Sequence, residues 1–156
     1  MGLGKEKMNF RPIGIVKSAV KEQIDQGWGR VVSHIVLEKE YAAGLQGLKK
    51  FSHILVIFYM HEAKFNPHTD LVRRPQGRKD MPKLGIFAQR AKHRPNPIGI
   101  TAVELIGIRK NVLRVKGLDA IEGTPVLDIK PYFPQFDRIS HPLVPPWVKR
   151  LMKNYF

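Results

Sequence analysis

Glycine and proline interrupt this chain too often for long elements to form: 13 Gly and 12 Pro fall among 156 residues. The segments between them are short and rich in Val and Ile, which favours pleated strands over helices. Residues 12–20 and 30–38 read as strands bounded by Gly or charged residues. Residues 53–61 form a nearly continuous apolar run, the pattern of a strand buried on both faces. Residues 99–108 and 112–118 read as a hairpin with Arg109, Lys110 and Asn111 as its turn, and residues 124–130 as a further strand. Leu113 and Val115 alternate with Arg114 and Lys116, so one face is apolar and the other wet.

Helical signals are few. Leu45, Leu48 and Phe51 recur at a helical spacing, which predicts a short helix or turn over residues 41–51. Residues 63–83 are polar, basic and proline-containing, and read as a long surface loop. Residues 131–146 carry Pro131, Pro134, Pro142, Pro145 and Pro146, a spacing that excludes a helix or central strand. Pro146 opens a final helix with Trp147, Leu151 and Tyr155 on one face. The fold class that follows is mainly β: a β-barrel or strongly bent sheet with a few short helices and a C-terminal helix. A doubly wound α/β fold needs helices between its strands, and they are missing.

Composition narrows the function. The length predicts one domain, and 43% hydrophobic residues suffice for a core. With no cysteine, disulfide scaffolds, zinc ribbons and thiol nucleophiles are excluded. The longest apolar run, residues 54–60, is far short of a membrane helix. The first ten residues carry no signal-peptide pattern, and Glu6 stands where myristoylation needs Ser or Thr. The expectation is a cytoplasmic protein with no membrane partner. The six histidines show no metal-ligand spacing. Gly27-Trp28-Gly29 precedes a strand, whereas a dinucleotide loop opens a helix.

Charge points to an anionic partner. Lys and Arg number 27 against 13 Asp and Glu, a net charge of +14. Arg73, Arg74, Arg78, Lys79, Lys83, Arg90, Lys92 and Arg94 stand against Asp80 alone, so half of that excess lies in one segment. Such a run is an electrostatic footprint for RNA, although a solvated loop has the same appearance. Within residues 85–99, Pro95 and Pro97 flank Asn96 and stiffen the backbone beside Arg90 and Arg94. Guanidinium groups on a stiff backbone suit bidentate recognition of carboxylate or phosphate. Residues 118–132 hold a turn at Gly123 followed by Thr124, Pro125 and Asp128. Asp119 and Asp128 read as partners for nearby cations.

The strings Gly-Ile-Phe-Ala-Gln-Arg…His-Arg-Pro-Asn-Pro-Ile-Gly (85–99) and Glu-Gly-Thr-Pro-Val-Leu-Asp-Ile-Lys-Pro-Tyr (122–132) together resemble the TsaA-like, or TrmO, family. Residues 12–18 and 47–53 fit its opening strand and a strand-leading turn, so the resemblance spans about residues 10–134. It implies a β-barrel methyltransferase that uses S-adenosylmethionine, works as a homodimer and methylates N6 of threonylcarbamoyladenosine beside the anticodon of tRNA. It also implies residues 1–9 as a tail, 10–134 as the barrel, and 135–156 as a Pro-rich segment and helix packed on it. The implied cofactor residues are His61, Glu62, Arg90, Ile100, Ala120, Ile121, Glu122 and Gly123, with Arg90 on the methionine carboxylate. Asp128 and His61 are the candidates for a catalytic base. Arg73, Arg74, Arg78, Lys79, Lys92, Arg94 and Asn96 are those for RNA.

The chain also departs from the pattern. Residues 23–30 stand where many members carry a Pro-Arg-Gln-rich segment. Glu62 replaces the usual Gln, Glu122 the usual Asp, and the larger C-terminal extension of bacterial tRNA enzymes has no counterpart. Two other readings follow: a methyltransferase for a small-molecule acceptor, and a non-catalytic RNA-binding module stacking bases on Phe65 or Phe87.

Overall fold

Residues 7–156 are described by a computed structural model; residues 1–6, most of the expected N-terminal tail, lie outside them. The strands are β1 (Gly14–Lys17), β2 (Val32–Leu37), β3 (His53–Tyr59), β4 (Val72–Arg73), β5 (Leu84–Gly85), β6 (Ile98–Arg109), β7 (Val112–Lys116) and β8 (Pro125–Pro131). All but β4 and β5 form one closed barrel, ordered β1-β2-β7-β6-β3-β8, with antiparallel neighbours throughout. Closure gives every one of these strands a pairing neighbour on both sides.

Alternation along each strand fills the interior. Val16, Ile35, Leu37, Ile54, Val56, Phe58, Val103, Leu113, Val115 and Val126 are all buried in one core. β6 is the longest strand at 12 residues. It pairs with β3 from Ile98 to Glu104 and with β7 from Glu104 to Arg109, and its register shifts between Leu105 and Gly107. A shift of this kind bends the strand and lets it turn a barrel corner. Opposite Phe58 stands Gly99. The aromatic ring lies across the position a Cβ would occupy there, so only glycine fits.

The structure corrects several expectations. The 53–61 run is not buried on both faces: His53 and Tyr59 are exposed, and Leu55 and Ile57 are half-buried. A barrel has a single core, and these four residues lie on its outer side. Residues 41–51 contain two short 3-10 stretches, Lys39–Leu45 and Leu48–Lys50. The polar 63–83 segment is not structureless; it holds α1 (Pro67–Asp70) and leads through β4 into the β4–β5 ribbon. The hairpin turn is shorter than expected, Lys110 and Asn111 only, with Lys110 left-handed at φ 55°. Pro131 ends β8 opposite Ile54 inside the barrel. Pro134 opens α2 (Pro134–Asp137), where a missing N–H leaves no helix bond unmade. The final helix, α3 (Pro146–Met152), stops before Tyr155, so Tyr155 does not continue its apolar face.

Gly99→Ala will force the Phe58 ring aside and cost about 1–3 kcal/mol of stability. Urea denaturation followed by tryptophan fluorescence measures the loss, and a midpoint equal to the wild type contradicts this account of Gly99.

Candidate functional site

Three loops that are far apart in sequence meet beside the barrel end where β3 stops. After Tyr59 the Met60 amide donates to the Pro97 carbonyl (2.8 Å) and the Ala63 amide to the Met60 carbonyl (3.0 Å). This tight turn carries His61 and Glu62. The loop from β7 to β8 is tied to the first strand region: Glu122 N–H donates to Val20 O and Gly123 N–H to Val16 O, both at 2.8 Å. Thr124 closes the turn by donating its hydroxyl to Ile121 O at 2.7 Å. Between these loops lies a small cleft, open to solvent.

His61, Glu62, Lys92, Ala120 and Ile121 line it, with Phe58 and Met60 as its apolar wall. Four of the expected cofactor residues are thus brought together. Arg90 and Ile100 do not line the cleft, but they are joined to each other, since Arg90 Nη2 donates to the Ile100 carbonyl. Glu122 also lies off the cleft. It accepts from the Ser18 amide (2.6 Å) and from Lys17 Nζ (3.2 Å), and these donors hold its carboxyl below the usual carboxylate range. Gly123 shapes the turn, with φ at 79°.

The two candidates for a base are separated. His61 is at the cleft, whereas Asp128 lies on β8 opposite Ile57 and does not line it. One Asp128 oxygen accepts from the Ile129 amide (2.8 Å) and the other pairs with Lys130 (2.7 Å).

The arginines of the basic segment are largely engaged within the protein. Arg73 pairs with Asp70 at 3.1 Å, and Arg78 is bidentate to Asp80. Arg74 donates to the Met81 carbonyl, and Arg94 to the carbonyls of Gln89 (3.0 Å) and Ala91 (3.3 Å). Lys79 and Asn96 are exposed. Gln89, buried beneath the segment, donates to Arg73 O (2.7 Å) and Leu84 O (2.9 Å) and so ties β4 to β5.

Asp119, expected to pair with a nearby cation, is held by two hydroxyls instead, and Thr101, which supplies one of them, was not singled out by the sequence pattern. Asp119 lines the cleft. Thr101, buried on β6, donates its hydroxyl to Asp119 Oδ1, and Tyr155 donates to Oδ2 at 2.6 Å. Burial and the adjacent Asp119 charge push the Tyr155 hydroxyl far above its ordinary range, so it stays a donor. No local spacing signals a contact between positions 36 apart.

The residues at the cleft fit an adenosyl cofactor bearing a charged amino-acid tail. Phe58, Met60 and Ile121 supply apolar surface, and Lys92 and Asp119 supply charges of both signs. The Ala120 and Ile121 amides have no protein acceptor among the described residues. Unpartnered backbone donors beside an apolar wall suit a purine edge or ribose hydroxyls.

Comparison with known proteins agrees with this picture. The family model described as the tRNA-methyltransferase O N-terminal domain matches residues 17–138. A probable S-adenosyl-L-methionine-binding protein of Methanothermobacter thermautotrophicus is 40% identical over 138 residues, covering 86% of this chain and 96% of its own. The tRNA (adenine(37)-N6)-methyltransferase of Escherichia coli is 35% identical over 136 residues, covering 80% of this chain and 57% of its own. The crystal structure of TrmO from Pseudomonas aeruginosa superposes with a TM-score of 0.71 at 31% identity, covering 88% of this chain and 62% of that one. The chain therefore spans less than two thirds of the bacterial proteins but nearly all of the archaeal one.

Because the Glu122 carboxyl is held below its ordinary value, its contribution to stability is present above about pH 4.5 and is lost as pH falls. Glu122→Gln will flatten the acid-side decline of the unfolding midpoint between about pH 5 and 3. Parallel urea titrations of both proteins across that range measure the effect; curves of equal slope contradict the assignment.

Proposed function

The chain belongs to the tRNA-methyltransferase O family, and on that premise we propose that it methylates N6 of an adenosine in tRNA with S-adenosylmethionine as methyl donor. The observation that carries the reading is the gathering of His61, Glu62, Ala120 and Ile121 from separate loops at one cleft. When bound, S-adenosylmethionine supplies a methyl group on a positively charged sulfur, which an adenine nitrogen displaces. The chain's own task is to hold both reactants in line, and in-line positioning alone accelerates displacement by orders of magnitude.

We assign the roles as follows. Ala120 and Ile121 offer amides to the adenosyl part, while Phe58 and Met60 exclude water from one side. Arg90, off the cleft lining but anchored through one nitrogen on the Ile100 carbonyl, is assigned the methionine carboxylate for its other donors. To His61, one of the side chains at the cleft, we assign the proton released from N6. The relatives named tRNA (adenine(37)-N6)-methyltransferases, together with the chain's own positive charge, favour tRNA over a small acceptor. The threonylcarbamoyl form of the target adenosine, next to the anticodon, is the substrate we assign, and the cytoplasm is the matching location.

A homodimer completes the proposal. On the outer face of β3 and β6, Ile57 stands opposite Ile100 and Tyr59 opposite Ile98. Tyr59, Ile98 and Ile100 are 40%, 44% and 47% exposed, a contiguous apolar patch of the kind a second copy covers. Ile100→Asp will shift the sedimentation coefficient to that of a monomer; a wild-type protein that already sediments as a monomer rules the patch out as a dimer interface.

Calorimetric titration with S-adenosylmethionine tests the cofactor. Arg90→Ala will weaken binding roughly tenfold or more, the worth of a charge-assisted bond, and an unchanged affinity removes Arg90 from the site. Labelled methyl transfer to tRNA with and without the threonylcarbamoyl group tests the substrate. Labelling of neither tRNA by a protein that binds the cofactor hands the reading to a small acceptor. For RNA, Lys79→Ala with Lys83→Ala will lower the slope of log affinity against log salt by about 2.

A further inference from the structure

Asp119 is the most firmly held charged group at the cleft. One oxygen accepts from the buried Thr101 hydroxyl and the other from the Tyr155 hydroxyl at 2.6 Å. Tyr155 is itself fixed from behind. Its carbonyl accepts from the Trp28 amide (2.8 Å), and the preceding Asn154 carbonyl accepts from Gly27 (2.8 Å). Trp28 is fully buried, with its indole N–H donating to Ile24 O at 3.0 Å. A Cβ on Gly29 would meet the Phe156 backbone at 2.6 Å, so the 27–29 segment packs flush against residues 154–156. The carboxylate is therefore oriented before any ligand arrives. Each oxygen has a lone pair left over after its hydroxyl bond. A preorganised anion loses little freedom when it meets a cation. Glu62, the other acid at the cleft, is exposed and makes no such bonds among the described residues.

We propose that Asp119 reads the charge on the cofactor's sulfur, favouring the sulfonium donor over the neutral thioether product, and that Tyr155 is the positioning residue that holds it. This inference rests on the cofactor reading given above. Methyl transfer breaks the carbon–sulfur bond with both electrons staying on sulfur. The methyl carbon bonds to the acceptor nitrogen, which releases its proton. The sulfur thereby goes from cationic to neutral, and the attraction to Asp119 ends with the reaction. A fixed carboxylate thus favours loading of the donor and release of the product at one site.

The test is calorimetric titration of the full chain with S-adenosylmethionine and with S-adenosylhomocysteine. The readout is the ratio of the two affinities, which a purely structural role does not move. Asp119→Asn will weaken the sulfonium ligand roughly tenfold and leave the thioether within about twofold. Tyr155→Phe will move the ratio in the same direction by a smaller factor. Equal weakening of both ligands by Asp119→Asn overturns the proposal while leaving the cofactor reading intact. A wild-type chain that binds neither ligand defeats the cofactor reading itself. Should Asp119→Asn fail to fold by circular dichroism, Tyr155→Phe decides, and a wild-type ratio there overturns the assignment.

Discussion

The seam between β1 and β8 is the constraint on which both the barrel and the cleft depend. β1 has four residues and meets β8 through only two register pairs, Gly14 with Val126 and Ile15 with Pro125. Bonds just beyond the ladder reinforce it: Ile13 N–H to Val126 O (2.8 Å), Val16 N–H to Thr124 O (2.9 Å) and Gly123 N–H to Val16 O (2.8 Å). Glu122 adds a charged clasp on Ser18 and Lys17. The same bonds that shut the barrel therefore fix the 120–124 turn, of which Ala120, Ile121 and Thr124 line the cleft. Opening the seam would unmake the site before it unmade the core, because the pairing of β3 with β6 is far more extensive.

Much of this was legible in the sequence because it is local. Alternating Val and Ile between Gly and Pro marked the strands, and the strings at 85–99 and 122–132 marked two of the three loops that meet. What was not legible is tertiary. Tyr155 looks like a helix-face residue from its spacing to Leu151, yet α3 ends at Met152 and the side chain turns to Asp119. The 63–83 segment looks like open loop because its side chains are polar. It folds because two polar side chains bind its backbone: Gln89 bonds the carbonyls of Arg73 and Leu84 across the β4–β5 ribbon, and Arg74 bonds that of Met81. The 53–61 run looks doubly buried because Leu55, Ile57 and Tyr59 are apolar for a reason outside one chain's core. The proposed dimer gives them a partner.

The departure at residues 23–30 also acquires a meaning. Where the resemblance expects a Pro-Arg-Gln-rich segment, this chain uses Gly27, Trp28 and Gly29 to grip its own residues 154–156. The grip delivers Tyr155 to Asp119, so a segment that looked like a loss for the cofactor site supports one of its charges from behind. Gln23, at the start of the same segment, lines the cleft directly.

Charge divides along the same line between scaffold and partner. A tally of basic residues treats Arg73, Arg74, Arg78 and Arg94 as free for phosphate, but each is bonded to a carboxylate or a carbonyl of the protein. Backbone carbonyls leave no trace in a charge count, which is why the sequence overstated this footprint. A guanidinium fixed in this way still contributes to the long-range field that draws an anion in, while its geometry serves the fold. On the proposed tRNA reading, direct phosphate contacts then fall to lysines such as Lys79 and Lys83, compact charges on flexible stems that carry little sequence information. On the same proposed reading, selectivity for one adenosine comes from the cleft, where shape and a few fixed groups act at close range, and the basic surface sets how fast and how tightly RNA arrives.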